Sequence, residues 1–410
     1  MRKTILHLGF VLSIALVASA VPCVALAASS WASTNGLIAF RSDRDGDPEI
    51  FTMDATGSGQ INLSNNAAIR DMSPAWSPDG SQVAYVRAMR QSGRPDLFVM
   101  DATGHGRTRL TKTPVAERDP AWSPDGTQIA YSARVSPHGP FRIFVMHADG
   151  TGREQLTSQS FGSADRSPAW SPDGTTIAFV SDRDGGFPEI YLMNADGSGE
   201  RRYTNNVVID GNPSWSPDGT KLAVERCCAD GSSEIYTIEL ATGIETDLTV
   251  SASQDFDPAW SPDGTALAFV SVPAGGGNID IWSMASDGSS QVRLTNDPAD
   301  DLSPDWQPLP ACTISGTASA DVLQGTIAND VICGLGGADT ISGGDGNDLV
   351  NGGPGDDVID GQDGSDLLFG DGGSDSLDGG PGYDGLNGGP GIDSCVRGAD
   401  GAFTKQCESG

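Results

Sequence analysis

Positive charge is what this 410-residue chain has least of: 24 Lys and Arg face 55 Asp and Glu, a formal net charge of −31. That balance speaks against nucleic acid or an anionic membrane surface as partner, and for cations or basic proteins. Histidine is scarce, and after the opening segment His105, His138 and His147 stand alone, which excludes a histidine-based zinc cluster or catalytic pair. Beyond the first thirty residues no apolar run is long enough to span a bilayer. No Gly-x-Ser-x-Gly elbow occurs either, which removes the α/β-hydrolase route to a serine nucleophile.

What the opening does contain is Arg2-Lys3, an apolar run from Ile5 to Val21, and Ala25-Leu26-Ala27. A basic start, an apolar middle and a small-x-small site predict a secretory signal peptide over residues 1–27. Losing Arg2 and Lys3 takes the charge from −31 to −33, with no membrane span in the mature form. Six cysteines follow, an even number that in an exported chain suggests disulfides. Proximity favours Cys312–Cys333 and Cys395–Cys407, while Cys227-Cys228 forms a vicinal bridge or stays reduced.

The body of the chain is built on Trp-Ser-Pro-Asp-Gly. It is whole at Trp76–Gly80, Trp122–Gly126, Trp170–Gly174, Trp215–Gly219 and Trp260–Gly264, and shortened to Trp306-Gln307-Pro308 in a sixth copy. A period near 46 residues marks stacked units. Each unit holds four short β-rich pieces separated by Gly, Pro and Asp, for example Pro74-Ala75-Trp76, Val83-Ala84-Tyr85, Asp96-Leu97-Phe98 and a run ending near Leu110. In Ser-Pro-Asp-Gly proline fixes φ and glycine accepts a positive φ, which suits a tight turn. The first unit lacks a leading motif and the last Trp306 strand has no successor, so joining the two ends closes a ring of six blades. These repeats resemble the TolB-type, WD-like β-propeller repeat over about residues 35–308. That resemblance implies protein binding, or service as the propeller half of a larger enzyme.

Five residues before each tryptophan stands a carboxylate: Asp71, Glu117, Asp165, Asp210, Asp255 and Asp301. Strand alternation puts them on the same face as the variable loops between second and third strands, where binding sits on a rigid scaffold. They are expected either to ring the channel mouth and attract a cation or basic side chain, or to accept hydrogen bonds from their own turns and neighbouring blades.

From Ser315 the beat is nine. Asp321, Asp330, Asp339, Asp348, Asp357, Asp366, Asp375, Asp384 and Asp393 are evenly spaced within Gly-Gly-x-Gly-x-Asp-x-apolar units such as Gly343–Val350. Residues 313–410 carry seventeen carboxylates against Arg397 and Lys405. Glycine permits tight positive-φ turns with inward carbonyls, and calcium takes six to eight oxygens. The units resemble the RTX calcium-binding nonapeptide over about residues 315–395. The resemblance implies a parallel β-roll with two units per turn, up to seven calcium sites between aspartates eighteen apart, and Asp345, Asp356 and Asp363 as further ligands. Stacked carboxylates repel without cations, so calcium-coupled folding is expected. The Gly-Thr units of Asp321 and Asp330, and the Ser394-Cys395 end, are expected to hold calcium weakly or not at all.

The sequence therefore predicts an all-β chain: signal 1–27, six-bladed propeller 28–310, RTX roll 311–396 and tail 397–410. The expected role is a secreted or cell-surface calcium-binding protein that recognises protein or carbohydrate without catalysis. The alternative is a hydrolase or lyase using paired carboxylates such as Asp255/Asp257 and Asp300/Asp301 on the acidic face.

Overall fold

A computed structural model describes residues 34–66, 69–89, 94–158, 163–227, 231–389, 391–396, 403–405 and 407. The proposed signal peptide and Cys228 lie outside these residues. Strands and turns account for the described chain, and no helix occurs among its described residues.

The Trp-Ser-Pro-Asp-Gly region forms four four-stranded sheets and one eight-stranded sheet. Within each repeat consecutive strands pair antiparallel, as where Ile69–Trp76, Gln82–Met89, Pro95–Asp101 and Thr108–Arg109 lie side by side. The eight-stranded sheet joins two such repeats through a single parallel bridge between Ser233 and Gln254. Strand Thr34–Ser42 pairs antiparallel with Asp301–Leu309, Ile38 opposite Trp306, so the two ends of the region share one sheet. The arrangement is a β-propeller.

Apolar side chains of each sheet pack on the next. Ala84, Val86 and Leu97 meet Ile129, Tyr131 and Phe144, and the series returns to its start where Ile38, Phe40 and Phe51 meet Ala268, Val270 and Ile281. The repeated tryptophan stitches neighbours directly, Trp122 Nε1 donating to the Ala75 carbonyl and Trp215 Nε1 to that of Ala169, both at 3.1 Å. In the turn after it, Ser77 Oγ accepts from Gln82 N at 2.9 Å while Gly80 takes φ 68°. Each innermost strand also carries a bulge three residues before tryptophan. There Ser73, Asp119, Ser167, Asn212, Asp257 and Ser303 adopt φ between 41° and 53°. Ser, Asp and Asn fit, because their side chains bond locally and tolerate the left-handed region.

The glycine-rich region is a parallel β-solenoid of two sheets, with six and five strands. Partners are eighteen residues apart, for example Val331–Leu349–Leu367 and Thr340–Val358–Ser376, so two nonapeptides make one turn. Ile332, Ile341, Val350, Ile359, Leu368, Leu377 and Leu386 fill its centre, each no more than 1% exposed. Cys312–Cys333 and Cys395–Cys407 are disulfides, one near each end of the solenoid. Cys227 is a free, half-buried thiol; its expected partner in a vicinal bridge, Cys228, lies outside the described residues.

The outward sides of the two solenoid sheets differ. Leu349, Leu367 and Phe369 project from the six-stranded sheet onto Leu37, Ile61, Tyr85 and Met100 of the propeller, forming one core cluster. Val322, Thr340, Ser342, Val358, Asp360 and Asp378 occupy the five-stranded sheet, Val322 being 85% exposed. His105 of the propeller stacks on Tyr383 of the solenoid, ring centroids 4.3 Å apart.

Candidate functional site

The nonapeptide aspartates form two ladders. In every case the backbone N–H of one aspartate donates to Oδ1 of the aspartate eighteen residues on: Asp321 to Asp339, Asp330 to Asp348, Asp339 to Asp357, Asp348 to Asp366 and Asp357 to Asp375, at 2.8 to 2.9 Å. Asp366 N reaches Asp384 at 3.1 Å and Asp375 N reaches Asp393 at 2.9 Å. From Asp339 to Asp393 these side chains are at most 2% exposed. Their second oxygens have a different fate. Oδ2 of Asp339, Asp348, Asp357, Asp366, Asp375 and Asp393 is buried and receives no hydrogen bond.

The first two units break the pattern. Thr317 donates through N (2.6 Å) and Oγ1 (2.8 Å) to Asp321 Oδ2, and Thr326 does the same to Asp330 Oδ2 at 2.7 and 2.8 Å. Where Leu335, Gly344, Gly353, Gln362, Asp371 and Gly389 stand instead of threonine, the oxygen is left bare. Of the remaining proposed ligands, Asp345 and Asp363 face solvent side by side on adjacent turns. Asp356 is also exposed and accepts from Ser374 N at 2.9 Å.

Burial and like charge act on the bare row. Burial first, then the charges of Asp348 and Asp384, push Asp366 up to about 8. Asp375 goes to about 6 by burial and the charges of Asp357 and Asp393, and burial raises Asp348 and Asp357. Burial also acts on Asp330, but the bonds from Thr326 and Thr313 outweigh it and hold its pKa below the ordinary value.

Hard oxygen donors fit this place. An added methyl at Gly343 would fall 2.6 Å from both Asp348 Oδ2 and the Gly361 carbonyl. At Gly361 it would meet Asp366 Oδ2 at 2.5 Å and the Gly379 carbonyl at 2.8 Å. Carboxylate and carbonyl oxygens of successive turns therefore converge where glycine leaves room, the chemistry a calcium ion selects. Among the described residues no three His, Cys, Asp or Glu side chains group as a metal set, so carbonyls must complete any site here.

The six propeller carboxylates are buried to 3% exposure or less beneath the face of the second-to-third-strand loops. Asp71 is held by Arg87 through two contacts of 2.7 and 2.8 Å and by Asn66 Nδ2 at 2.8 Å. Asp210 is held in the same way by Arg226 (2.6 and 3.1 Å) and Asn206 (2.7 Å). Arg44 spans both oxygens of Asp301 at 2.9 and 3.0 Å, and Arg183 with Ser181 holds Asp165. Glu117 accepts from Thr111 and Thr113, and Asp255 from Ser251 Oγ at 3.3 Å. Burial raises Glu117, Asp255 and Asp301.

A second polar ring, which the sequence reading passed over, lines the channel at the bulges. Ser167 Oγ donates to Asn212 Oδ1 at 2.9 Å, Asn212 Nδ2 to Asp257 and to Glu225 Oε2, and Ser303 Oγ to Asp257 Oδ2 at 3.3 Å. Ser132 Oγ donates to Asp119 Oδ2 at 2.9 Å. Burial, then the Glu225 charge, pushes Asp257 up to about 7. Its signal was the Ser, Asp or Asn ahead of every Pro-Ala-Trp, Pro-Ser-Trp or Pro-Asp-Trp. Of the carboxylate pairs considered for catalysis, Asp257 belongs to this inner ring while Asp255 is buried at the start of its strand. Asp301 is locked by Arg44, whereas Asp300 donates its N–H to Asp43.

The family described as the TolB beta propeller domain matches residues 65–209 and 205–320, more than half of the chain. The chain belongs to that family. The RTX calcium-binding nonapeptide repeat (4 copies) matches residues 313–341, 334–368, 351–386 and 360–395 behind the TolB propeller. Repeats of that kind bind calcium, so this is a propeller protein with calcium-binding repeats. Among solved structures, TolB from Acinetobacter baumannii is similar at 24% identity and TM-score 0.57, covering 67% of each chain. A putative TolB from Agrobacterium tumefaciens is 21% identical with TM-score 0.52, over 68% of this chain and 99% of that one. A chain of the nidogen/laminin complex is 13% identical with TM-score 0.54, over 67% and 99%. At these identities the likeness concerns fold alone. No curated protein matches the chain.

Proposed function

We propose that this is an exported, non-catalytic recognition protein: a six-bladed TolB-type propeller that binds a protein or carbohydrate partner on its variable-loop face, joined to a roll that calcium folds. Six blades follow from reading the eight-stranded sheet as two blades tied by one bridge, and the sheet shared by both ends of the region as one. Two disulfides favour an oxidising compartment. Non-catalysis is supported by the strand-start carboxylates being engaged by their own blades and by the connections leading into them, three of them by paired arginine contacts.

The observation that carries the calcium half is the row of buried, donorless Oδ2 atoms beside glycine turns. A buried carboxylate oxygen without a partner is costly, and a cation removes that cost. Here Asp339, Asp348, Asp357, Asp366, Asp375 and Asp393 would hold calcium with turn carbonyls. Circular dichroism of the full chain, first with chelator and then titrated with calcium, tests it. A cooperative gain of β signal without loss of the propeller's own melting transition is expected. An unchanged spectrum would remove the calcium switch from the reading.

A further inference from the structure

On this strongly acidic chain, three guanidinium groups converge on one ring. Arg118, Arg134 and Arg166 sit with their central carbons 5.6, 4.6 and 5.3 Å from the centroid of Phe141, which they cover to 4% exposure. Arg134 ends the second strand Gln128–Arg134, and Phe141 begins the third, Phe141–His147. Arg118 and Arg166 are second residues of the innermost strands Glu117–Trp122 and Asp165–Trp170. All four therefore lie on the variable-loop face, near the channel mouth.

These arginines lack what the others on this face have. Arg44, Arg87, Arg183 and Arg226 each grip a carboxylate, whereas no ion pair within 4 Å joins Arg118, Arg134 or Arg166 to a described residue. Glu117 and Asp165, their chain neighbours, are occupied by hydroxyls and by Arg183. Asp119 draws on Arg118 and Arg166, but its carboxylate faces inward to Ser132. Arg118 and Arg166 are exposed. Stacking on Phe141 fixes the three planes; Arg134 spends Nη1 on the Gly139 carbonyl at 2.6 Å, while Arg118 and Arg166 turn their N–H edges outward, which is how arginine presents itself to a carboxylate. On second-to-third-strand loops of the same face Val135 (46%), the residue after Arg134, and Phe187 (52%), in the next blade, expose apolar surface.

Exposed apolar side chains next to unpaired arginines are the composition of a protein-recognition patch. We propose that this patch binds a protein segment presenting a carboxylate flanked by apolar side chains. The carboxylate would seat on Arg118, Arg134 and Arg166, and its neighbours on Val135 and Phe187. The surrounding negative charge is screened beyond about 8–10 Å at physiological salt, so a local basic spot can act. This deepens the recognition half of the proposed function and does not depend on its calcium half.

Calorimetry on the full chain in saturating calcium tests it with three probes: acetyl-Leu-Glu-Leu-Glu-amide, its Gln counterpart and trigalacturonate. The Glu peptide is expected to bind at least about tenfold more tightly than the Gln peptide, and the R118Q/R166Q variant to lose that preference. Arg118→Lys should recover part of it, because charge returns without the planar fork. No binding of any probe, equal binding of both peptides, or an unchanged preference in R118Q/R166Q would overturn the proposal. Tighter binding of trigalacturonate would overturn the assignment to a protein segment. The calcium transition recorded on the same samples reports separately on the other half.

Discussion

Asp210 and Asp366 are both fully buried carboxylates, and they are kept in opposite ways. Asp210 is gripped by Arg226 and Asn206 from its own blade. Asp366 receives one backbone N–H on Oδ1, nothing on Oδ2, and has Asp348 and Asp384 as charged neighbours. The propeller carries its cations in its sequence, whereas the roll has to import them. A buried charge with a built-in partner makes structure permanent; one without makes it conditional on the medium.

The largest effect expected from this contrast is on calcium removal. Chelation should abolish most of the roll's β signal and expose the turns after Cys333 to protease, while the first turn and the propeller stay intact. Limited proteolysis followed by mass spectrometry checks it, and cleavage spread evenly over both regions would break the comparison. Next comes Arg87→Met, which strands Asp71. A loss of about 3–5 kcal/mol is expected in urea unfolding of the propeller, and calcium should not restore it. The mirror experiment is Asp366→Asn: it should raise roll stability in chelator and weaken calcium response, whereas Asp71→Asn should destabilise with or without calcium.

A smaller effect belongs to Asp305, where burial, only partly offset by the hydrogen bond from the backbone N–H of Trp76 (2.7 Å), pushes the carboxyl up to about 7. A folded-state pKa above the unfolded one adds stability that is complete below about pH 4 and fades as pH rises through 7. Asp305→Asn should flatten that slope and gain about 1–2 kcal/mol at pH 8. Urea midpoints across pH in saturating calcium measure it, and parallel slopes in wild type and variant would remove Asp305 as their source. Smallest is Thr326→Val, expected to cost about 1 kcal/mol while leaving calcium stoichiometry unchanged. One fewer bound ion by calorimetry would show that Asp330 is a ligand after all.

The periodicities carried most of the fold. A nine-residue beat with apolar dyads marks short stacked strands, and the resemblance to RTX repeats supplied the two units per turn that pair strands eighteen apart. The propeller carboxylates were visible too, but not their partners. Arg87 and Arg226 lie sixteen residues after Asp71 and Asp210, across a hairpin whose register a linear reading does not supply. Arg44 reaches Asp301 across 257 positions, through ring closure. The Gly-Thr units of Asp321 and Asp330 stood apart in the sequence, but the reason, Thr317 and Thr326 folding back onto Oδ2, did not show there. The two-sided roll was hidden in plain view: Leu349, Leu367 and Phe369 fall on alternate units, and only the solenoid gathers them on one side.

Those threonines give the roll a direction. Its first turn has hydroxyls in place of ions and is tied by Cys312–Cys333, so it can stand before any calcium arrives. Each later turn would then add to a finished edge, as a zip closes from its fixed end, so that ordering of the repeat array would propagate from beside the propeller. On the proposed reading, calcium would then fill the rungs from the anchored end outward.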